Sequence, residues 1–270
     1  MVLTLALMVT PIAHSLTAVT LPYRLDCDSG KGNKQTMRVH EFTVLLSPRD
    51  GGCHLEVSGT VSGPLFERTA TGMQVSSALD LAHDGRPFLL IQADTSPYTM
   101  WLLSLGPHPG VVASVKNGYG FWVQNGCADG RWHIWTEDGA FKGEPELVDV
   151  YHYDLLVPLV VLDVQGDKLV DATSLCKPYF ERRIAAIRAG LTSLDIAAFK
   201  NGNINDAFRS RELKGKILGI AFADLYNGNN AAARGVLREM WPDKDQERVW
   251  RWMLQKRSKG VLAHLSDKAK

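Results

Sequence analysis

Apolar segments recur about every 10 to 12 residues through the first two thirds of this 270-residue chain, and Gly, Pro, Asn and Asp separate them,. Each segment has the length of a β-strand and each separator favours a turn, which is typical of antiparallel β proteins. The recurrence predicts a sandwich, a barrel or a propeller-like sheet. The predicted strands cover residues 36–46, 53–57, 88–92, 98–103, 111–115, 120–124, 132–136, 156–163 and 168–171.

Two pairs of these strands are predicted to form hairpins. The turn sequence at residues 48–52 joins the first two strands, and a turn at residues 165–167 joins the last two,. Pro158 lacks the amide hydrogen that a central strand donates, so its strand either lies at a sheet edge or starts after the proline.

The pattern changes at Cys176, where apolar residues begin to recur at steps of three and four. Helices are predicted over residues 177–188, 203–226, 230–241 and 243–265,. Gly228 suits a left-handed cap, and Asp243 is the expected N-cap of the last helix. The stretch 225–242 resembles half of a tetratricopeptide repeat, and a plain helical hairpin docked on the sheet is the simpler interpretation. The expected fold class is α+β, an antiparallel β domain followed by a C-terminal helical subdomain.

Charge divides at the same residue. Residues 1–176 contain 11 Lys and Arg against 19 Asp and Glu, a net charge of −8, whereas residues 177–270 contain 19 against 10, a net charge of +9. The basic helices either pack on the acidic β domain or bind an external anionic surface such as lipid head groups or a wall polymer. We therefore expect an acidic β domain over residues 19–176, a basic helical domain over residues 177–270, and no nucleic-acid partner.

The first 18 residues predict export. Residues 2–13 are almost all apolar and lead into a small-x-small sequence, typical of a signal peptide cleaved after Ser15 or Ala18, although no Lys or Arg precedes them,. This apolar run is shorter than the roughly 20 residues of a membrane-spanning helix. No later stretch is long and apolar enough either, so we expect a soluble mature chain without a transmembrane segment, periplasmic or secreted.

Four cysteines follow the predicted signal peptide. An even number in an exported chain favours two disulfides, for which three pairings are possible. We prefer the pairing that joins neighbouring β-type segments, Cys27–Cys53 with Cys127–Cys176. No C-x-x-C occurs, so neither a thioredoxin-like redox site nor a zinc knuckle is indicated.

Local motifs for catalysis and metal binding are missing. The sequence contains no G-x-S-x-G, no phosphate-binding G-x-x-x-x-G-K and no H-E-x-x-H,. The acidic residues from Glu137 to Asp171 lack the dense spacing of a calcium loop and are expected to form a solvated face, and the pair Asp26 and Asp28 supplies too few acids. We predict no catalytic residue, metal or cofactor, although a triad assembled from distant strands leaves no local trace.

Aromatic residues are the most suggestive binding candidates, because tryptophans on one exposed face would form a platform for a sugar or peptide. Trp132 and Trp135 are three residues apart and should face opposite ways unless a bulge intervenes, and burial in the core is the alternative for the whole set. The candidate ligand-binding residues are Trp101, Trp122, Trp132, His133, Trp135 and His152.

The last predicted helix is basic and amphipathic around Trp250 and Trp252, which fits either an interface or a lipid surface,. The alternative is a helix that docks Val249, Trp252 and Met253 inward while its Lys and Arg side chains remain in water.

Residues 132–141 and 157–171, with residues 225–228 and 240–242, resemble parts of exported bacterial proteins of unknown function. In those proteins repeat-type strands, similar to degraded integrin-like propeller blades, precede helices. The resemblance implies export and a two-part architecture but carries over no active site. We expect a non-catalytic binding or interaction protein of the cell envelope, whose partner is an envelope protein, a glycan or an anionic surface. The alternative is an envelope hydrolase with a dispersed triad or metal site, and a third interpretation is a structural scaffold.

Overall fold

The computed structural model describes residues 24–28, 32–59, 63–95, 98–141, 157–204 and 207–265. Strands precede helices in this part of the chain, which confirms the α+β class. The strands are β1 (Arg24–Asp28), β2 (Gln35–Val39), β3 (Phe42–Arg49), β4 (Gly52–Ser58), β5 (Pro64–Ala70), β6 (Gly72–Leu79), β7 (Phe88–Ala93), β8 (Thr99–Ser104), β9 (Gly110–Lys116), β10 (Gly118–Gln124), β11 (His133–Asp138), β12 (Leu159–Gln165) and β13 (Lys168–Asp171). The helices are α1 (Lys177–Ala189), α2 (Ser193–Lys200), α3 (Ala207–Tyr226), α4 (Asn230–Met240) and α5 (Gln246–Arg257).

The strands form three antiparallel sheets. The N-terminal sheet has the order β2-β3-β4-β5, the central sheet β1-β6-β7-β8-β9 and the C-terminal sheet β10-β11-β12-β13. Strands that are consecutive in the chain are neighbours in each sheet, except that β1 pairs with β6. None of these sheets closes on itself among the described strands, so the barrel, one of the three expected β architectures, is not found.

The inner strands of the central sheet, β7 and β8, are buried on both faces, so side chains that point to opposite sides of the sheet are mostly apolar,. Leu89 and Ile91 pack with the core of the N-terminal sheet, whereas Leu90 and Leu102 pack with residues of the C-terminal sheet and the helices. The sequences of β7 and β8 are therefore nearly continuous apolar runs.

The helices continue the same core. The most deeply buried helix is α3, whose Leu213, Ile217 and Ile220 share a cluster with β-strand residues such as Leu162. On the opposite face of the C-terminal sheet, Trp135 packs against α1. The change of sequence pattern at Cys176 thus falls between β13 and α1, and residues on both sides of it share a hydrophobic core.

Two disulfides, the pairing that the sequence favours, cross between these parts. Cys27–Cys53 joins β1 of the central sheet to β4 of the N-terminal sheet. Cys127–Cys176 joins the connection between β10 and β11 to the start of α1. The predicted signal peptide lies outside the described residues. In the portion of the chain that is described, no helix combines the length and the apolar character required to cross a bilayer.

Several predicted elements differ from the structure. The single strand expected over residues 36–46 is two strands, because the chain turns at His40, whose φ of 53° is left-handed. The helix expected from residue 203 begins at Ala207, and α2 precedes it. Asp243 is not a helix N-cap, since it lies in a 3₁₀ turn, Asp243–Asp245, ahead of α5.

Other local predictions are confirmed. Gly228 has a left-handed φ of 84° at the end of α3, and the side chain of Asn229 then caps α4 by accepting a hydrogen bond from the amide of Ala232. Strand β12 begins directly after Pro158, as the missing amide hydrogen requires,.

Candidate functional site

A cleft of about 460 Å³ lies between the central sheet and β10. Its floor is formed by β1, β6 and β7, and one wall is the backbone and side chains of Tyr119, Gly120 and Phe121. Clefts of roughly 300 to 1,000 Å³ are typical of small-molecule sites. We consider this cleft the candidate functional site.

The register of the central sheet lays a row of polar residues across the floor. Asp26 on β1 is opposite Gln74 on β6, which is opposite Gln92 on β7. The amide of Gln74 donates to the Asp26 carboxylate at 3.5 Å, and the amide of Gln92 donates to the carbonyl of Phe121. The second bond ties the floor to the β10 wall.

A second row lies two residues further along and therefore on the same face of the sheet. Asp28 is opposite Gly72, and the amide of Asp94 donates to the carbonyl of Gly72 at 2.8 Å. Because neighbouring strands are about 4.8 Å apart, the backbones of Asp28 and Asp94 are about 10 Å apart with only a glycine between them. A Cβ at Gly72 would lie 2.6 Å from Oδ2 of Asp94, so the glycine makes room for that carboxylate.

The floor carries concentrated negative charge. Although Asp94 is exposed as a residue, desolvation by the surrounding walls raises the pKa of its carboxyl, and the charges of Asp28 and then Asp26 raise it further,. Arg24 forms an ion pair with Asp26 at 3.2 Å at the exposed end of the row. A cation entering the cleft would remove the repulsion that acts on Asp94.

Two tyrosines complete the cleft. The rings of Tyr98 and Tyr119 form an edge-to-face pair with centroids 5.1 Å apart. Desolvation raises the pKa of Tyr98, and the negative charge of Asp94 raises it further, so this phenol keeps its proton at neutral pH. The pair thus offers both an aromatic face, which attracts cations, and a hydroxyl donor.

The groups described in the cleft are suited to binding a ligand. Among the described residues that line the cleft there is no Ser, His or Lys, and the cysteine, Cys27, is held in a disulfide. Within the described parts of the chain, no three His, Cys, Asp or Glu side chains are grouped so that they could bind a metal ion. Carboxylates, side-chain amides and aromatic faces together match an organic cation that carries N–H donors.

The predicted tryptophan platform is not formed, because the four side chains pack into three different clusters. Trp101 packs with the core of the N-terminal sheet, edge-to-face on Phe66 at 5.6 Å. Trp132 packs against the cluster shared with the helices. Trp122 and Trp135 are opposite each other in β10 and β11 and belong to the cluster that contacts α1. As the three-residue step predicts, Trp132 and Trp135 pack on different sides.

His133, one of the two candidate histidines, does not line the cleft. His133 is buried, with Nδ1 at 3.1 Å from the carbonyl oxygen of Arg131 and Nε2 at 3.4 Å from a carboxylate oxygen of Asp129. Because both contacts are with residues of the β10–β11 connection, we assign His133 a structural role in holding that connection. His152 lies outside the described residues.

A second polar cluster, which we call the junction cluster, joins the C-terminal sheet to the helices. Asp138, the last residue of β11, is fully buried. Its carboxylate accepts hydrogen bonds from the hydroxyl of Tyr226 at 2.6 Å, from the amide of Ala140 at 3.0 Å and from the amide of Val261 at 3.3 Å. The expectation of a solvated acidic face is therefore wrong for Asp138.

Burial governs the chemistry of the junction cluster. Desolvation raises the pKa of Asp138, with the three donors opposing it, and desolvation together with the Asp138 charge raises the pKa of Tyr226. Gly260 lies against this carboxylate so closely that a Cβ there would overlap it. Because its carboxylate is enclosed by three hydrogen-bond donors of the protein itself, we interpret the cluster as a structural joint.

Sequence reasoning missed most of the cleft residues. Asp26 and Asp28 were considered only as an incomplete calcium loop, and the strands β1 and β6 were not predicted. The alternation of exposed and buried residues in β1 is a usable signal, since Leu25 and Cys27 point inward and the acids outward,. The partners Gln74 and Asp94 could be found only from the strand pairing.

The chain was compared with protein-family models, with curated proteins and with solved structures, and none of them matches it. The resemblance to exported bacterial proteins therefore remains a prediction.

Proposed function

We propose that this protein is an exported, non-catalytic binding protein that takes a small organic cation with primary ammonium groups, such as a polyamine, into the cleft between the central sheet and β10. The observation that carries the proposal is the row Asp28, Gly72, Asp94 beneath the two tyrosines. Two carboxylates across a glycine leave space for a cation and accept its hydrogen bonds.

Electrostatics supports a cationic occupant over a neutral one. Asp94 shares its cleft with two further acids, and burial together with the charges of Asp28 and Asp26 raises its pKa. An ammonium group at this position would form charge-assisted hydrogen bonds, which are about twice as strong as neutral ones. The ring faces of Tyr98 and Tyr119 would add cation–π attraction.

Export is part of the proposal because of the covalent structure of the cleft. Cys27, which lies between Asp26 and Asp28, forms a disulfide with Cys53 and so holds β1 in place. Disulfides persist in oxidising compartments such as the periplasm or the extracellular space. The apolar N-terminal segment, typical of a signal peptide, agrees with that location,.

Calorimetric titration of the oxidised protein with spermidine tests the proposal. We expect saturable binding, and we expect Asp94→Asn to weaken it about tenfold, the loss of one charge-assisted contact worth about 1.4 kcal/mol. Gly72→Ala should weaken it as well, because the added methyl group displaces the Asp94 carboxylate.

The matched control is Asp50→Asn, which removes the same charge from an exposed turn of the N-terminal sheet. It should bind spermidine like the unchanged protein. Equal losses in Asp94→Asn and Asp50→Asn would show that binding is diffuse attraction, and an absence of saturable binding would contradict the proposal. A chemically altered spermidine after incubation would indicate an enzyme instead.

A further inference from the structure

A second groove, of about 500 Å³, runs along β5, and we call it the β5 groove. It is lined by six consecutive residues of that strand, 64–69, and by Val111 of β9. Neighbouring residues of a strand point to opposite faces of the sheet, so a groove that touches six residues in a row follows the backbone edge of the strand. Six residues span about 20 Å, which is the length of a short extended peptide.

Both strands beside the β5 groove lie at sheet edges. Among the described strands, β5 is the last of the N-terminal sheet and pairs with β4, and β9 is the last of the central sheet and pairs with β8. An edge strand of an antiparallel sheet leaves alternate backbone N–H and C=O groups on its open side. Pro64 lacks an amide hydrogen, but every residue from Leu65 to Ala70 has one,. An added strand would find its hydrogen-bond partners there.

Arg68 gives the β5 groove a positive group. Its guanidinium lies over the rings of Phe66 and Trp101, 5.1 and 5.9 Å from their centroids, and Nη1 donates to the carbonyl oxygen of Glu67 at 2.8 Å. The carboxylate of Glu67 lies instead 3.4 Å from Nε2 of His54 on β4. Within the described parts of the chain Arg68 forms no ion pair, and a guanidinium has five N–H donors, so it retains donors for a carboxylate,.

We propose that the β5 groove binds an extended peptide, which adds a strand to β5 and places an acidic side chain against Arg68. Strand addition takes its affinity from main-chain hydrogen bonds and its specificity from side-chain contacts. The two aromatic rings hold the planar guanidinium in position for a bidentate pair with a carboxylate. The described lining residues of the β5 groove and of the cleft are different, so this proposal does not depend on the proposed function.

The position of Arg68 favours a peptide over a second copy of the chain. Glu67 and Arg68 are adjacent in β5 and therefore point to opposite faces of the sheet,. In a symmetric dimer that pairs β5 with itself antiparallel, the two-fold axis keeps each side chain on its own face. Glu67 of the copy would then lie on the face opposite Arg68, so the copy would not supply the carboxylate from β5.

Fluorescence anisotropy with a labelled peptide tests the proposal. The probe is the acetylated and amidated heptapeptide Thr-Val-Thr-Glu-Thr-Val-Thr, and we expect saturable binding to the oxidised protein. A peptide with Gln in place of Glu should bind about tenfold more weakly, because it loses the charge-assisted pair. A peptide with Pro in place of both Val should lose binding, because it lacks two of the amide hydrogens that an added strand donates.

Arg68→Gln should weaken binding of the Glu peptide about tenfold and leave binding of the Gln peptide unchanged, because the two changes remove the same contact. The matched control is Arg38→Gln, which removes the same charge from an exposed position of β2, the opposite edge strand of the same described sheet. It should bind both peptides like the unchanged protein. Hydrogen exchange should show that the Glu peptide protects amides of β5 and not those of β2. Circular dichroism checks that both variants are folded.

Four results would overturn the proposal. They are an absence of saturable binding of the Glu peptide, equal binding of the Pro peptide, equal losses in Arg68→Gln and Arg38→Gln, and protection of the β5 amides by rising protein concentration without any peptide. The last result would identify a second copy of the chain as the occupant of the β5 edge.

Discussion

Asp94 and Asp138 show two opposite uses of the same side chain. Asp94 lies in an open cleft, faces Asp26 and Asp28, and has its pKa raised by desolvation and by those charges. Asp138 is fully buried and accepts three hydrogen bonds, one of them from Tyr226. The ionised form of Asp94 is destabilised unless a cation binds beside it. The carboxyl group of Asp138, in contrast, has its hydrogen-bond partners within the protein.

The comparison suggests a division of labour. The cleft is a place where the molecule gives up stability for binding, and the junction cluster is a place where polar contacts hold the sheet and helices in one arrangement. Of the two disulfides, Cys27–Cys53 lies at the cleft, and Cys127–Cys176 joins the β10–β11 connection to the start of α1. Substitutions in the cleft should therefore change mainly ligand affinity, and substitutions in the junction cluster should change mainly the free energy of unfolding.

The disulfides should give the largest effects. Chain-entropy estimates for closed loops of this size are about 4 kcal/mol for Cys127–Cys176, with a sequence separation of 49, and about 3.5 kcal/mol for Cys27–Cys53, with a separation of 26,. Urea unfolding of the two double Cys→Ser variants measures both losses.

Spermidine titration of the same variants sharpens the comparison. Losing Cys27–Cys53 should weaken binding because β1 carries two of the cleft acids, whereas losing Cys127–Cys176 should not. If both variants kept full affinity for spermidine, Cys27–Cys53 would not be needed to keep β1 in its place in the cleft.

Gly260→Ala should follow in size. The added methyl group would overlap a buried carboxylate held by Tyr226 and two amides, so we expect a loss of about 3 kcal/mol, at the upper end for overpacking,. Gly235→Ala is the control, because its Cβ would meet nothing within 4 Å in α4 and alanine favours a helix by about 0.5–1 kcal/mol,. Thermal unfolding of both variants gives the difference, and similar changes in the two would contradict a tight junction.

Tyr226→Phe should cost about 2 kcal/mol in the free energy of unfolding, since it removes a hydrogen bond to a buried carboxyl group and leaves that group one partner short while the ring remains,. Tyr98→Phe removes the same hydroxyl from the exposed cleft and should change stability by less than about 0.5 kcal/mol. Equal losses in denaturant unfolding would mean that the two regions do not differ as we describe.

Sequence patterns predicted the helices and strands better than they predicted which strands pair. Most strands, and the helices except α2, were predicted because apolar periodicity and turn residues are local signals. The split of residues 36–46 at His40 was missed, since a histidine with positive φ has no distinctive local signal. Short half-exposed strands such as β1 and β5 were also missed, because they bury few side chains.

The candidate site was the least predictable part. Asp26 and Asp94 are 68 positions apart in the chain and meet only because β1 pairs with β6, which no local pattern specifies. Tryptophans attracted attention as rare, large side chains, but those same properties bury Trp135 completely,. Asp138 shows the converse, since an acidic residue in a crowd of acids gives no sign that it is buried, and the same holds for Asp163 on β12.

The smallest expected effect, about tenfold in affinity, concerns pH. A cationic ligand needs Asp94 ionised, so spermidine binding should be strong above the pKa of Asp94 and should be lost as pH falls through it. Because that pKa is raised, the loss begins at a higher pH than for an ordinary carboxyl group near 3.9,. Bound spermidine favours the carboxylate, so binding in the acid range should release protons, which calorimetry in buffers of different ionisation enthalpy detects.

Asp138 supplies the contrast within that experiment. Its pKa is also raised, so the native state binds more protons than the unfolded chain, and stability should fall as pH rises from the ordinary carboxyl range through the raised value,. Spermidine does not reach this buried group, so Asp94→Asn should abolish proton release on binding while the pH dependence of unfolding that comes from Asp138 persists. Proton release that survives in Asp94→Asn would assign the titration to another cleft acid and break the distinction between the two regions.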